Sequence, residues 1–311
     1  MKARRGTAFS ARDPAGVGAG GPCHAFGPEA LASNLNRIES MDAQKDAHIS
    51  ALVSMIPYRL ALAGGWIDQP FISKLNPAPP GSMVVVGVEP TFRFMDRCGI
   101  ATSSREVARK LWNDRLPDRD PAELVRELYA AENRDRPDPS GSQDMIGLIY
   151  PGINRLDYEF RYEGGLFPAH IESNNDPAVA HWLEGVIHIL PVAQRPAGYS
   201  PLGEKQLDPE WVERLGRSGR ECFDAILGKN VKALGASLNE CMQCWEALLP
   251  HTVRHPALSV DLVRVLSHYQ ARYAGAMYSG CGGGYLYVAA EEEVPGSFQV
   301  EVRLEKRTRQ A

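Results

Sequence analysis

Three things are scarce in this 311-residue chain: long apolar runs, cysteines, and an excess of charge of either sign. No apolar stretch approaches the roughly 20 residues that a bilayer-spanning helix requires, so no membrane partner is expected. Six cysteines at irregular spacings do not form a disulfide framework and point to reduced thiols and a cytoplasmic location. With 34 Lys and Arg against 38 Asp and Glu the formal charge is -4, and no global basic field recommends nucleic acid as a partner. Aromatic residues at 8%, hydrophobic at 44% and charged at 23% sit near globular averages, which excludes a wholly disordered, collagen-like or coiled-coil chain. What remains is a folded protein with enough chain for one large domain or two modest ones.

Residues 1–27 are rich in Gly, Ala, Pro and Arg, carry no helical or strand period, and read as a disordered leader. From Pro28 to Ser54 the positions Leu31, Leu35, Ile38 and Met41 fall at three- and four-residue steps and predict helix. Arg59 to Ala63 reads as a strand that ends in Gly64-Gly65, and the β-branched run Met83 to Val88 as a second strand. Helical patterns cover Ser103–Trp112, Pro121–Arg134, Pro209–Leu227 and Val231–Leu249. In the last of these, Val231, Leu234, Leu238, Cys241, Trp245 and Leu248 form a core stripe. Gly185–Val192 and Tyr285–Ala290 predict buried strands, and alternation of Phe298, Val300, Val302 and Leu304 predicts another. Helices and strands mixed without a strict βαβ rhythm point to an α+β fold.

Three stretches combine glycine with hydroxyl or carboxylate groups, and glycine lets backbone N–H groups approach a ligand closely. They are Pro57 to Asp68, Cys98 to Ser104 and Ser279 to Gly284. In the second, Gly99, Ile100, Ala101, Thr102, Ser103 and Ser104 run directly into a helix, the geometry in which free N–H groups bind phosphate. A fourth stretch, Glu132 to Asp144, sets one carboxylate at a helix end and another just past a Pro-Ser-Gly turn. The first is suited to a divalent cation and the second to a substrate hydroxyl.

Taken in order, these stretches resemble the GHMP family of small-molecule kinases, over roughly Pro57 to Leu304. Pro57, Arg59, Leu60, Leu62, Ala63, Gly64, Gly65 and Asp68 match the first motif of its sugar-kinase branch, which includes heptose-phosphate kinase, fucokinase and galactokinase. Gly99 to Ser104 is similar to the family's phosphate loop, and Ser279 to Gly284 to its closing glycine motif. The resemblance implies a two-part α+β fold. Residues 28–180 would form a part like a small-subunit ribosomal protein domain, with the phosphate loop and catalytic carboxylates. Residues 181–311 would form a ferredoxin-like part that closes the site.

The resemblance also implies an ATP- and Mg²⁺-dependent transfer of the γ-phosphoryl group to a hydroxyl of a sugar or sugar phosphate. Asp144 would take or polarise the hydroxyl proton, and Arg59 would stabilise charge at the transferred group. Glu132, with Ser103 or Ser104, would hold Mg²⁺. Gly99 to Ser104 with Gly280, Gly282 and Gly283 would hold the nucleotide. Asp68, with Gly64 and Gly65, would hold the sugar. A homodimer is compatible with this reading. The chain departs from the family pattern at Ala101, where the loop's second glycine is usual, and in the 30 residues between Asp68 and Gly99, where relatives have more. A second reading therefore stands beside the enzyme: the same fold serving as a metabolite-binding or scaffold protein without turnover.

Other motifs point elsewhere but have plainer explanations. Cys241, Cys244, His251 and His255 have zinc-like pair spacings, yet Cys241 belongs to the helix stripe and reads as core. Cys281 reads as a small residue packed in the closing loop. Asp157, Glu159 and Glu163 read as the solvated face of a strand, Glu291 to Glu293 as a polar turn, and Lys306 to Arg309 as a solubilising basic end.

Overall fold

The computed structural model describes residues 55–91, 93–136 and 139–305. The expected leader, the helix expected over 28–54 and the basic end lie outside them. The chain order is β1 (Tyr58–Ala61), α1 (Pro70–Ser73), β2 (Gly81–Val88), α2 (Thr102–Leu111), α3 (Pro121–Asn133), α4 (Gln143–Ile149), β3 (Ile153–Tyr158), β4 (His170–Asn174) and α5 (Pro177–Val186). It continues with β5 (Ile187–Ala193), α6 (Pro209–Leu227), α7 (Val231–Leu248), α8 (Leu262–Gln270), β6 (Gly275–Gly280) and β7 (Gly283–Ala289).

Two antiparallel sheets result, one in the order β1-β2-β3-β4 and one in the order β5-β7-β6. In the first, Arg59 pairs with Gly87 and Ser82 with Asp157 across neighbouring strands. Every position of β2 is buried, because α4 and α6 both pack on it. A strand covered in this way reads as an unbroken apolar run, which is what Met83 to Val88 is.

The helix starts are written in a repeated dipeptide. Asp120-Pro121, Asp176-Pro177 and Asp208-Pro209 open α3, α5 and α6, each Asp side chain accepting N–H groups of the first turn while Pro occupies a position that needs no donor. Asn230 and Asp261 cap α7 and α8 in the same way. No side chain caps α2 or α4, and both of these helices begin at the candidate site.

The helices α6 and α7 form an antiparallel pair that couples the sheets: α6 lies on β2, α7 on β6, and the two pack along their length. Glycine sets the approach at each crossing. A Cβ at Gly219 of α6 would overlap the Ser82 carbonyl, and one at Gly235 of α7 would overlap the Ala274 backbone. Leu215, Phe223 and Ile226 from α6 and Leu234, Leu238 and Leu248 from α7 supply the core between these contacts.

Two expectations are corrected. Phe298 to Leu304 is not a strand: it makes single bridges, Phe298 to Ile189 and Val302 to Val88, so its alternating apolar side chains reach the core while most of its backbone stays outside the ladders. Asp157 is not on a wet face. It is buried, accepting from Ser82 Oγ at 2.6 Å and from Arg155 Nε at 3.0 Å.

The glycine crossing can be tested by adding one methyl group. Gly219→Ala is expected to destabilise the fold by about 2–3 kcal/mol, because backbone rather than a flexible side chain blocks the Cβ. Gly185→Ala, in α5 with nothing within 4 Å of the new atom, is expected to stabilise by about 0.5 kcal/mol. Urea midpoints for the two variants check both signs, and equal effects would contradict the packing argument.

Candidate active site

The site is built around one guanidinium. Arg59 projects from β1 and is 3% exposed. Its Nη2 forms an ion pair with Asp144 Oδ1, and its Nη1 donates to the Gly99 carbonyl at 3.3 Å. Asp144 stands in the first turn of α4, and Gly147 one turn further on leaves the space that the Arg59 stem occupies. Burial pulls the Arg59 pKa down to about 10, which leaves it charged at neutral pH.

Residues 97–104 meet this pair from the other side. Gly99 has φ 77° and Ala101 has φ 51° and ψ 29°, so the alanine adopts the left-handed conformation that glycine takes readily. Ala101 ends the loop, and α2 follows with its first N–H groups uncapped. An uncapped first turn carries the positive end of the helix dipole and free donors, which suits a phosphate oxygen. Ser104 Oγ lies 3.4 Å from Asp144 Oδ2 as its donor, while Ser103 is exposed at the helix start. Thr102 turns back, its Oγ1 accepting the Arg97 N–H at 3.2 Å. Ile100 is fully buried and anchors the loop in the core.

The closing glycine motif is fastened to this loop. Ser279 Oγ donates to the Cys98 carbonyl at 2.5 Å and accepts the Tyr285 N–H at 3.0 Å. Gly99 and Gly280 touch backbone to backbone, and a Cβ on either would fall 2.7–2.8 Å from the other. Gly282 and Gly283 have φ 74° and 98°; the first lies under the Tyr199 ring, and the second faces the Ala193 carbonyl and Leu262. Gly280 is thus part of the loop contact, while Gly282 and Gly283 face protein on their side of the turn.

Asp68 follows the first glycine motif and is 3% exposed. A Cβ on Gly141 would overlap its carboxylate, so the Ser140–Ser142 turn lies directly against it. Burial raises the Asp68 pKa to about 6, with Arg59 opposing the rise. Gly64 and Gly65 are turned to the core: Gly64 donates its N–H to Cys241 Sγ at 3.3 Å, and the Gly65 carbonyl accepts from Trp245 Nε1 at 3.0 Å. Cys241 is accordingly a core thiol, and the His255 ring meets those of His251 and Tyr199 edge to face, with ring centres 5.0 Å apart in each pair.

Glu132 sits near the end of α3, a helix that packs on both α2 and α4. Its side chain is 4% exposed; Oε1 is 3.3 Å from Arg136, and Oε2 is buried with no hydrogen-bond partner. Among the described residues no group of three or more His, Cys, Asp or Glu is placed to hold a metal ion. Mg²⁺ bound to phosphate needs only one or two protein ligands, and an orphaned carboxylate oxygen fits that role.

Three residues that the sequence does not mark as site residues join the site. The phenols of Tyr158 and Tyr287 are buried close enough to interact electrostatically with Arg59, and burial raises both their pKa values. Arg195, in the segment after β5, lies against Gly280. Neither tyrosine is marked by a motif, and Arg195 lies in an unpatterned Gln-Arg-Pro turn.

No protein-family profile and no curated protein matches the sequence. Solved structures do match the fold. A mevalonate kinase aligns with a TM-score of 0.52 at 12% identity, over 80% of this chain and 98% of its own. Streptococcus pneumoniae phosphomevalonate kinase, in complex with phosphomevalonate and AMPPNP, aligns with a TM-score of 0.51 at 10% identity, over 76% of this chain and 92% of its own. A D-glycero-D-manno-heptose 1-phosphate kinase from Bacteriodes thetaiotaomicron aligns at 0.49 and 12% identity, over 80% and 96%. The chain has the α+β fold of the GHMP kinases.

Asp68 supplies a pH test. Its carboxyl ionises near 3.8 in the unfolded chain and near 6 in the fold. Between these values the folded state holds the extra proton, so this contribution to stability is complete below about pH 4 and is lost as pH rises through about 6. Asp68→Asn is expected to gain about 2–3 kcal/mol relative to wild type between pH 4 and pH 7. Urea unfolding across that range checks it, and a pH-independent difference would show that the carboxylate is not held in a desolvated place.

Proposed function

We propose that this protein is a kinase that transfers the γ-phosphoryl group of ATP to a hydroxyl of a sugar or sugar phosphate. The observation that carries the reading is the meeting of Arg59, Asp144 and Ser104 at the uncapped start of α2, with Gly99 between them. A buried cation, a carboxylate and a set of free backbone donors are what phosphoryl transfer asks of a protein, because the reaction needs positioning and charge neutralisation more than covalent help. The fold supports it: a mevalonate kinase and a phosphomevalonate kinase share it, and the second is in complex with AMPPNP.

In this reading Asp144 accepts the proton of the attacking hydroxyl as that oxygen bonds to the γ-phosphorus, the bond to the β-phosphate oxygen breaks, and ADP leaves. Arg59 holds Asp144 in place and faces the charge that grows on the transferred group. The donors of α2 and residues 99–101 cradle the phosphates. Glu132 Oε2 and the Ser103 or Ser104 hydroxyl are the protein ligands offered to Mg²⁺, which neutralises phosphate charge when bound. Asp68, beside the Ser140–Ser142 turn, hydrogen-bonds sugar hydroxyls. The sugar class follows from the match of Pro57 to Asp68 to the sugar-kinase motif. Residues 28–180 and 181–311 are its two parts, with substrate held where their loops meet.

Asp144→Ala is expected to lower turnover by at least about 100-fold while the far-ultraviolet spectrum is kept. Substantial turnover in that variant would remove Asp144 from the role of base. Glu132→Gln is expected to raise the Mg²⁺ concentration needed for half-maximal rate several-fold and to leave the sugar KM within about twofold. An unchanged metal requirement would count against Glu132 as a ligand.

A further inference from the structure

Residues 194–208 connect β5 to α6 and are tied across the site. Gln194 Nε2 donates to the Asp96 carbonyl at 2.8 Å and Arg97 Nη2 to the Pro196 carbonyl at 2.9 Å, which binds this strap to the flank of the phosphate loop. Further along, Tyr199 Oη donates to the His251 carbonyl at 2.8 Å and the Gln206 N–H to the Leu248 carbonyl at 2.8 Å. Arg195 is thereby held over the contact between Gly99 and Gly280, with Nη2 where a Gly280 Cβ would come within 2.7 Å of it.

The guanidinium is fixed, yet it is not satisfied. Arg195 Nε is buried and makes no hydrogen bond, and no ion pair to Arg195 is present among the described residues. Arg59 Nε, in a residue 97% buried, is orphaned in the same way. Arg195 lies close enough to Arg59 to disfavour that residue's charge. A buried N–H without an acceptor is destabilising, and two like charges close together add to that cost. Asp144 answers only the Nη2 edge of Arg59. Asp68 and the Gly99 carbonyl answer other parts of Arg59, but neither Nε has an acceptor and Arg195 has no anionic partner among the described residues. A phosphate monoester, with three acceptor oxygens that match a guanidinium fork, would meet both deficits.

We propose that Arg195 is a second phosphate-binding cation, acting with Arg59 at the contact of residues 97–104 with the 279–284 turn, and that it grips a terminal phosphate through Nε and Nη2. The inference rests on the reading of this site as a phosphoryl-transfer centre, and it assigns the strap as the element that completes it. A nucleotide's γ-phosphate and a sugar's phosphate offer the same chemistry. The closing glycine at 280 then has a cause: a side chain there would displace both the phosphate loop and the Arg195 fork.

The test is calorimetric titration of the full chain and of Arg195→Gln and Arg195→Lys, with Mg·ATP, tripolyphosphate, adenosine, mannose 1-phosphate and mannose. The expected result is a loss of at least about tenfold in affinity for a phosphate-bearing probe in Arg195→Gln. Adenosine and mannose binding should be unchanged, the unliganded melting temperature should not fall, and Arg195→Lys should recover part of the loss. A loss confined to Mg·ATP and tripolyphosphate would assign the nucleotide as the phosphate source, and a loss confined to mannose 1-phosphate would assign the sugar. Equal binding of every probe by wild type and Arg195→Gln overturns the proposal, and so does wild type that binds no phosphate-bearing probe. Phosphate binding that depends on Arg195 without phosphoryl transfer to any sugar would sustain the anion site and overturn the kinase reading. Sugar phosphorylation indifferent to Arg195→Gln would do the reverse.

Discussion

Arg59 carries a full charge at 3% exposure, and a buried cation must be matched by partners brought from several elements at once. Asp144 comes from α4, the Gly99 carbonyl from the loop before α2, and Gly147 withdraws its side chain so that the arginine stem can pass. Removing the carboxylate leaves an uncompensated charge beside β1, and a side chain at 147 would displace the arginine stem. The site and the first sheet are therefore stabilised by the same contacts. The catalytic carboxylate in this account is held by the residue that would also stabilise its product, which limits how far either can move during reaction.

The second sheet is drawn into this arrangement by backbone rather than by charge. Ser279 links the β6–β7 turn to the Cys98 carbonyl, and Gly99 packs on Gly280 with no side chain between them. Distant parts of the chain can meet this closely only where both positions lack a Cβ. The α6–α7 pair repeats the device at Gly219 and Gly235, so glycine governs the spacing of the layers as well as the shape of the loops.

Much of the framework was legible because its signals are periodic. The stripes of α6 and α7, the buried run of β2 and the hydroxyl-rich entry to α2 each follow from side-chain spacing, and the structure places the helices of residues 209–227 and 231–248 where the stripes put them. Alternation misled at Phe298 to Leu304, where side-chain burial proceeds without a ladder. Asp157 misled because charge alone does not reveal a buried partner, here Ser82 from the neighbouring strand and Arg155 two residues away. Gly64 and Gly65 belong to a motif, yet their contacts run to Cys241 and Trp245 some 180 residues away, which no local pattern reports. Arg195, Tyr158 and Tyr287 were invisible for a related reason. Each matters through what the tertiary fold sets beside it, and none sits in a repeating pattern.

The central claim is that the Arg59–Asp144 pair and the uncapped start of α2 form a centre for Mg·ATP and a sugar. The most direct measurement is thermal stabilisation by ATP, GTP and ADP with and without Mg²⁺, crossed against heptose phosphates, fucose, galactose, arabinose and glucuronate. The account predicts a shift that requires nucleotide and Mg²⁺, grows with nucleotide concentration, and increases further with one of the sugars. A sugar shift with no response to any nucleotide would contradict it and identify a fold that binds metabolite without transferring phosphate.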